Sequence, residues 1–72
     1  MPDEQTAIRI AVAIWEPIYG KDAIARQMPY RAVRSNGVWT VTGSLPQNVG
    51  GGVAVAEISQ ADARVLRVGH GK

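Results

Sequence analysis

Hydrophobic positions recur in two rhythms along this chain, helical at first and alternating later. Ile8, Ala11, Val12, Trp15 and Ile18 follow helical spacing, and Ile10 and Ile14 widen the stripe. Gln5, Arg9, Ala13 and Glu16 make up the narrow remaining face, so a helix here must be largely covered. Asp3 is a good N-cap, with Glu4 and Gln5 in a first turn where the helix dipole favours negative charge. Pro17 pushes Glu16 out of the helical region, which predicts a helix over residues 4–16. After a Tyr19-Gly20 turn, Lys21 to Gln27 forms a second, short helix. Ala23, Ile24 and Met28 anchor it and Pro29 stops it.

From Tyr30 the rhythm becomes alternating. Asn36-Gly37 is a strong hairpin signal, because both residues tolerate the positive φ of a type I′ turn. A two-residue turn fixes the register. Ser35 faces Val38, Arg34 faces Trp39, Val33 faces Thr40, Ala32 faces Val41, Arg31 faces Thr42, and Tyr30 faces Gly43. One sheet face then carries Tyr30, Ala32, Arg34, Trp39 and Val41, and is assigned to the core. The other carries Arg31, Val33, Ser35, Val38, Thr40 and Thr42, and is left to solvent or a partner. Arg34 is placed to stack on the Trp39 indole at the rim.

Residues 44–49 form a connection, and Gly50-Gly51-Gly52 follows. A phosphate-binding glycine loop leads into a helix. Here the β-rich run Val53 to Ser59 follows instead, so a strand entry with a bulge or bend is predicted. Ala54, Ala56 and Ile58 are small or apolar enough to face a helix, which leaves Val53, Val55 and Glu57 outward. A turn over Gln60–Ala63, with Asp62 bonding its own backbone, returns the chain into a last strand from Arg64 to Gly69. In that strand Leu66 shares a face with Val68, and Val65 with Arg67. His70, Gly71 and Lys72 form a tail. The predicted fold is α+β, a long and a short helix on a four-stranded antiparallel sheet in the order α-α-β-β-β-β.

At 72 residues the chain reads as one domain, residues 1–72, near the lower limit for a self-sufficient core. It is 46% hydrophobic and 19% charged, the balance of a globular rather than a disordered chain. There is no cysteine, which removes thiolate metal sites and cysteine nucleophiles. The formal charge of +2 is spread over scattered Arg and Lys residues, so no nucleic-acid footprint is indicated. No apolar run has the length of a membrane helix. The acidic start MPDEQT lacks a basic signal region, which places the chain as written in the cytoplasm. A periplasmic location would need a leader outside it.

Catalytic chemistry finds little support. Asp3, Glu4 and Asp62 read as capping or turn residues, and Asp22 as the start of the short helix. Glu57 in mid-strand is placed to pair with Arg67 across the sheet. His70, the single histidine, has no companions at metal-ligand spacing, and no nucleophile–base–orienter set can be assembled around Ser35, Ser44 or Ser59. No catalytic residue, metal site or cofactor is therefore assigned.

Four segments together carry a family resemblance. They are AIWEPIYGKDAIARQMPYRA (residues 13–32), NGVWTVTGSLP (36–46), GGGVAVAEIS (50–59) and ARVLRVGHGK (63–72). The chain resembles the bacterial immunity proteins with a nuclear transport factor 2-like (cystatin-like) fold, which are encoded beside polymorphic or secreted toxins. Trp15, Tyr19, Gly20, Pro29, Tyr30, Trp39, Gly43, Leu45, Pro46, Gly51, Gly52, His70, Gly71 and Lys72 match the family pattern and read as fold markers rather than toxin contacts. The resemblance implies a non-enzymatic protein that binds and neutralises a cognate toxin. The chain is shorter than a full domain of that fold, so the ligand cavity of the superfamily is not carried over. An inhibitor of a nuclease would usefully be acidic. The slight positive charge here fits a peptidoglycan- or lipid-directed toxin at least as well.

The partner is expected on the bare sheet face at Val38, Thr40, Thr42, Val53 and Val55, and on the connection at Leu45, Gln47 and Asn48. Homodimerisation through the same face is also expected, since nothing else in the chain is left to cover it. The alternative is a small-molecule-binding or isomerase-like member of the same superfold. It would need a pocket between helix and sheet lined by Trp15, Tyr19, Tyr30 and Trp39, with an acid inside.

Overall fold

A computed structural model describes residues 3–44 and 53–70. Its elements follow the expected order: α1 (Glu4–Tyr19), α2 (Lys21–Ala25), β1 (Arg31–Ser35), β2 (Val38–Thr42), β3 (Ala54–Ser59) and β4 (Val65–His70). The four strands form one antiparallel sheet in sequence order, β1-β2-β3-β4. Neither helix is long and apolar enough to cross a membrane.

Asp3 caps α1 as expected. Its Oδ1 accepts from the Thr6 N–H at 2.8 Å, and its carbonyl accepts from Ala7 at 2.9 Å. The other end differs from expectation, because the helix continues through Pro17 to Tyr19 and stops at Gly20 (φ +96°). Proline removes the N–H that would bond the Ala13 carbonyl and crowds that carbonyl with its ring. Ala13 and Pro17 both lie on the exposed side, where water can replace that bond. Continuing the helix brings Tyr19 against the core.

Ala7, Ala11 and Trp15, spaced one turn apart, are fully buried against the sheet. Ile8, Ile10 and Val12 flank them, packed on the core and half-buried. The helix is less covered than its composition suggests, and Ile18 is 58% exposed. The short α2 ends at Ala25, two residues before the expected Gln27, and contributes the buried Ile24.

The first hairpin has the expected register from Arg31↔Thr42 to Ser35↔Val38, with Asn36 (φ +53°) and Gly37 (φ +76°) at its tip, and the strands stop short of the expected Tyr30–Gly43 pair. Val41, Ala54, Ala56 and Ile58 from β2 and β3 complete the buried core. Trp15 Nε1 donates to the Val55 carbonyl at 3.3 Å, tying α1 to β3.

Two strand assignments are corrected. His70 closes β4, paired opposite Ala54, and is not part of a tail. In β4 the pairing passes from Glu57↔Arg67 to Ile58↔Val65, so Leu66 is an extra residue in a β-bulge. The bulge reverses the phase of the strand. Val65 therefore shares the helix side with Val68, opposite Ile58 and Ala56, instead of sharing a face with Arg67. The bend that the glycine run led us to expect at the entry to β3 falls on residues 50–52, outside the described residues.

Candidate partner-binding face

Both helices pack on one side of the sheet, through Ala7, Ala11, Trp15 and Ile24. Residues directly opposite one another in antiparallel strands project to the same side. The outer face is thus built from three cross-strand rows: Arg31–Thr42–Val55–Gly69, Val33–Thr40–Glu57–Arg67, and Ser35–Val38–Ser59. Val38, Thr40, Thr42 and Val55 lie together on it, all half-buried. Val53, one residue before β3 and out of phase with the buried Ala54, is half-buried as well. Leu45, Gln47 and Asn48 lie outside the described residues.

The centre of this face is an ion pair. Arg67 Nη1 lies 3.8 Å from Glu57 Oε2, as the alternation of β3 and β4 suggested. Val33, 59% exposed, ends the same row and is its most accessible apolar side chain. The residue alternation had put Val33 and Arg31 on this face but had not marked them as contacts. Both are exposed on the edge strand β1.

The opposite side of the sheet is filled. Trp15 is fully buried, its ring centroid 5.9 Å from that of Tyr30. The Tyr30 hydroxyl donates to the Ile24 carbonyl at 2.8 Å. Burial raises the Tyr30 pKa above 10.0, and the negative charge of Glu16 adds to that. Tyr19 packs against the His70 ring at 5.3 Å, and Arg34 sits 5.8 Å over Trp39, as its placement opposite predicted. The four aromatics proposed as pocket walls thus pack within the fold, and among the described residues no Asp or Glu is fully buried, Glu16 and Glu57 being half-buried and the rest exposed. Asp3 caps α1, and Asp62 Oδ1 accepts from the Arg64 N–H at 3.1 Å in the turn before β4. The N–H of Thr6 lowers the pKa of Asp3, and the N–H of Arg64 lowers that of Asp62. Among the described residues no three His, Asp or Glu side chains converge.

One polar residue that the sequence did not single out organises the end of the sheet. Gln27 is buried, and its Oε1 accepts from the Ala54 N–H at 2.9 Å. Its own carbonyl accepts from Ser44 N–H at 2.8 Å. Gly43 packs directly on this side chain, where a Cβ would collide with Gln27 Oε1 and lie 2.8 Å from Gln27 Cβ. Ser44 Oγ adds a bond to the Pro29 carbonyl at 2.7 Å. Gln27 thereby holds the ends of β2 and β3 together, next to the connection between them.

The profile of the NTF2 fold immunity proteins matches residues 6–72. An uncharacterised protein of Escherichia coli strain K12, YhhH, is 34% identical over 67 residues, covering 92% of this chain and 53% of that protein. The chain therefore spans about half the length of this curated relative. No solved structure gives a significant match. With two helices on one side of a four-stranded antiparallel sheet and a profile match over nearly its whole length, the chain belongs to the NTF2-fold immunity protein family.

Proposed function

We propose that this protein neutralises a cognate bacterial toxin by binding it, without turnover, on the outer face of the sheet. Membership of the immunity family carries the reading. The placement of both helices on the other side supports the choice of face. Val38, Thr40, Thr42, Val53 and Val55 are the proposed contacts, with Leu45, Gln47 and Asn48 from the neighbouring connection. A non-enzymatic role is in keeping with Asp3, Asp62 and Glu57 all being engaged in a helix cap, a turn or an ion pair.

The test uses the product of the adjacent gene, purified in a catalytically inactivated form, together with cells expressing its active form. The chain should bind the former and restore growth to the latter. Replacing Thr40 and Val55 together by Lys should weaken binding at least about tenfold, since two bulky ammonium groups would have to be buried without partners in the centre of the contact. The melting temperature should stay within a few degrees. Absence of binding and of protection for the unmodified chain overturns the reading.

A homodimer through the same face is the second reading. It is favoured by the adjacent Glu57 and Arg67, which a twofold axis would make self-complementary. Sedimentation of the chain alone and with the toxin separates the two, because a face used for self-association would exchange one copy for the toxin.

A further inference from the structure

The sheet has two edges, and they differ. On β4 the extra residue Leu66 interrupts the pairing register. A bulge of this kind twists an edge away from regular pairing with another chain. β1 has no such interruption, pairing residue for residue with β2 from Arg31↔Thr42 to Ser35↔Val38. Among the described residues no strand pairs with its free side. The two-residue turn closes the hairpin between Ser35 and Val38, so Ser35, Val33 and Arg31 direct their backbone groups to β2. Ala32 and Arg34 then direct their N–H and C=O groups outward. The row of unpaired groups is a template for one more strand.

The side chains define what that strand would carry. β1 holds two arginines and no carboxylate. Neither Arg31 nor Arg34 is in an ion pair among the described residues. Arg34 is held over the Trp39 ring, which fixes its guanidinium at the rim. Arg31 projects to the outer face, together with the strongly exposed Val33. A segment added to β1 meets Arg34, Val33, Ala32 and Arg31 in succession. It would satisfy them with a carboxylate, an apolar side chain, any residue, and a second carboxylate. Opposite charges placed directly across a strand pair are favourable, and like charges are not. A second copy of β1 brings four arginines together, so the charge favours an acidic foreign strand over self-pairing.

We infer that an extended, acidic segment of the toxin adds as a fifth strand along β1, so that the outer-face site continues over the sheet edge. This rests on the toxin-binding reading and specifies the chemistry of the partner. The five residues of β1 offer about 17 Å of edge at roughly 3.4 Å per residue.

Residue-resolved amide exchange of the chain, alone and saturated with the inactivated product of the adjacent gene, tests the inference. In the free chain the Ala32 and Arg34 amides should exchange fast and those of Val33 and Ser35 slowly. In the complex the Ala32 and Arg34 amides should slow at least about tenfold, the mark of new edge pairing. Arg31→Glu with Arg34→Glu should weaken binding at least about tenfold, and Arg31→Lys with Arg34→Lys should restore most of it. Both pairs change exposed side chains, and circular dichroism checks that they fold. A complex that forms without protecting Ala32 and Arg34, or that tolerates charge reversal within about twofold, overturns the edge and leaves toxin binding standing. Protection already present in the free chain and rising with its concentration assigns the edge to a second copy and overturns the inference. Absence of any complex overturns both readings together.

Discussion

Single residues set the tightest constraints on this fold. Gly43 is required by its neighbour, since a Cβ there enters the space of the Gln27 carboxamide. Gly43→Ala should cost about 1–3 kcal/mol through overpacking, measured by urea denaturation. The penalty should shrink in a Gln27→Ala background, where the obstacle is gone, even though that change alone leaves the Ala54 N–H without its partner. Ala63 presents the opposite case. It sits at φ +62° between β3 and β4, a conformation that costs a non-glycine residue about 1 kcal/mol. Ala63→Gly should therefore stabilise by about 0.5–1 kcal/mol. At roughly 4–8 °C per kcal/mol for a chain of this size, calorimetry can resolve the rise. The cap and turn carboxylates give a pH dependence of defined sign. Asp3 and Asp62 both have carboxyls held below 3.8 by backbone N–H donors in the folded state. Their stabilising contribution is present above 3.8 and is lost as pH falls through the lowered folded values. Melting temperature should drop on acidification in that window, and less so in Asp3→Asn with Asp62→Asn.

At the scale of elements, α1 is held to the sheet chiefly by Trp15, buried and bonded to the Val55 carbonyl. Trp15→Ala should cost about 3–5 kcal/mol, as much as a core this small supplies in total. The variant should show little cooperative unfolding at 25 °C, whereas Trp15→Phe should fold with reduced stability. The hairpin register was legible in the sequence, because Asn36-Gly37 admits one turn and hence one register. The inward set Ala54, Ala56 and Ile58 was legible because β3 alternates cleanly. The end of α1 was not, since Pro17 signals a stop only where the carbonyl it orphans must be buried. The Leu66 bulge left no mark, because both phases of Val65 to Val68 place apolar side chains inward. Gln27 also escaped notice. What makes it important is the backbone N–H of Ala54, 27 residues away in the chain, and a side-chain pattern does not record that pairing.

The whole molecule is two-sided. One side of the sheet is filled by helices and aromatic rings. The other offers hydroxyls, small apolar groups and the Glu57–Arg67 ion pair, and it runs out to an arginine-bearing edge at β1. That division follows from the alternation of β1 to β3 and from the chain having helices enough to cover one side. It is also why the bare face was legible in the sequence, while the strong exposure of Val33 on its edge strand was not. The proposed use of the bare side rests on family membership. The most direct measurement is a calorimetric titration of the chain with the inactivated product of the adjacent gene. Binding with a one-to-one endpoint and a Kd on the order of nanomolar, matched by growth of cells that express the active toxin together with this chain, is the predicted result. A flat titration with no rescue of growth would contradict the account.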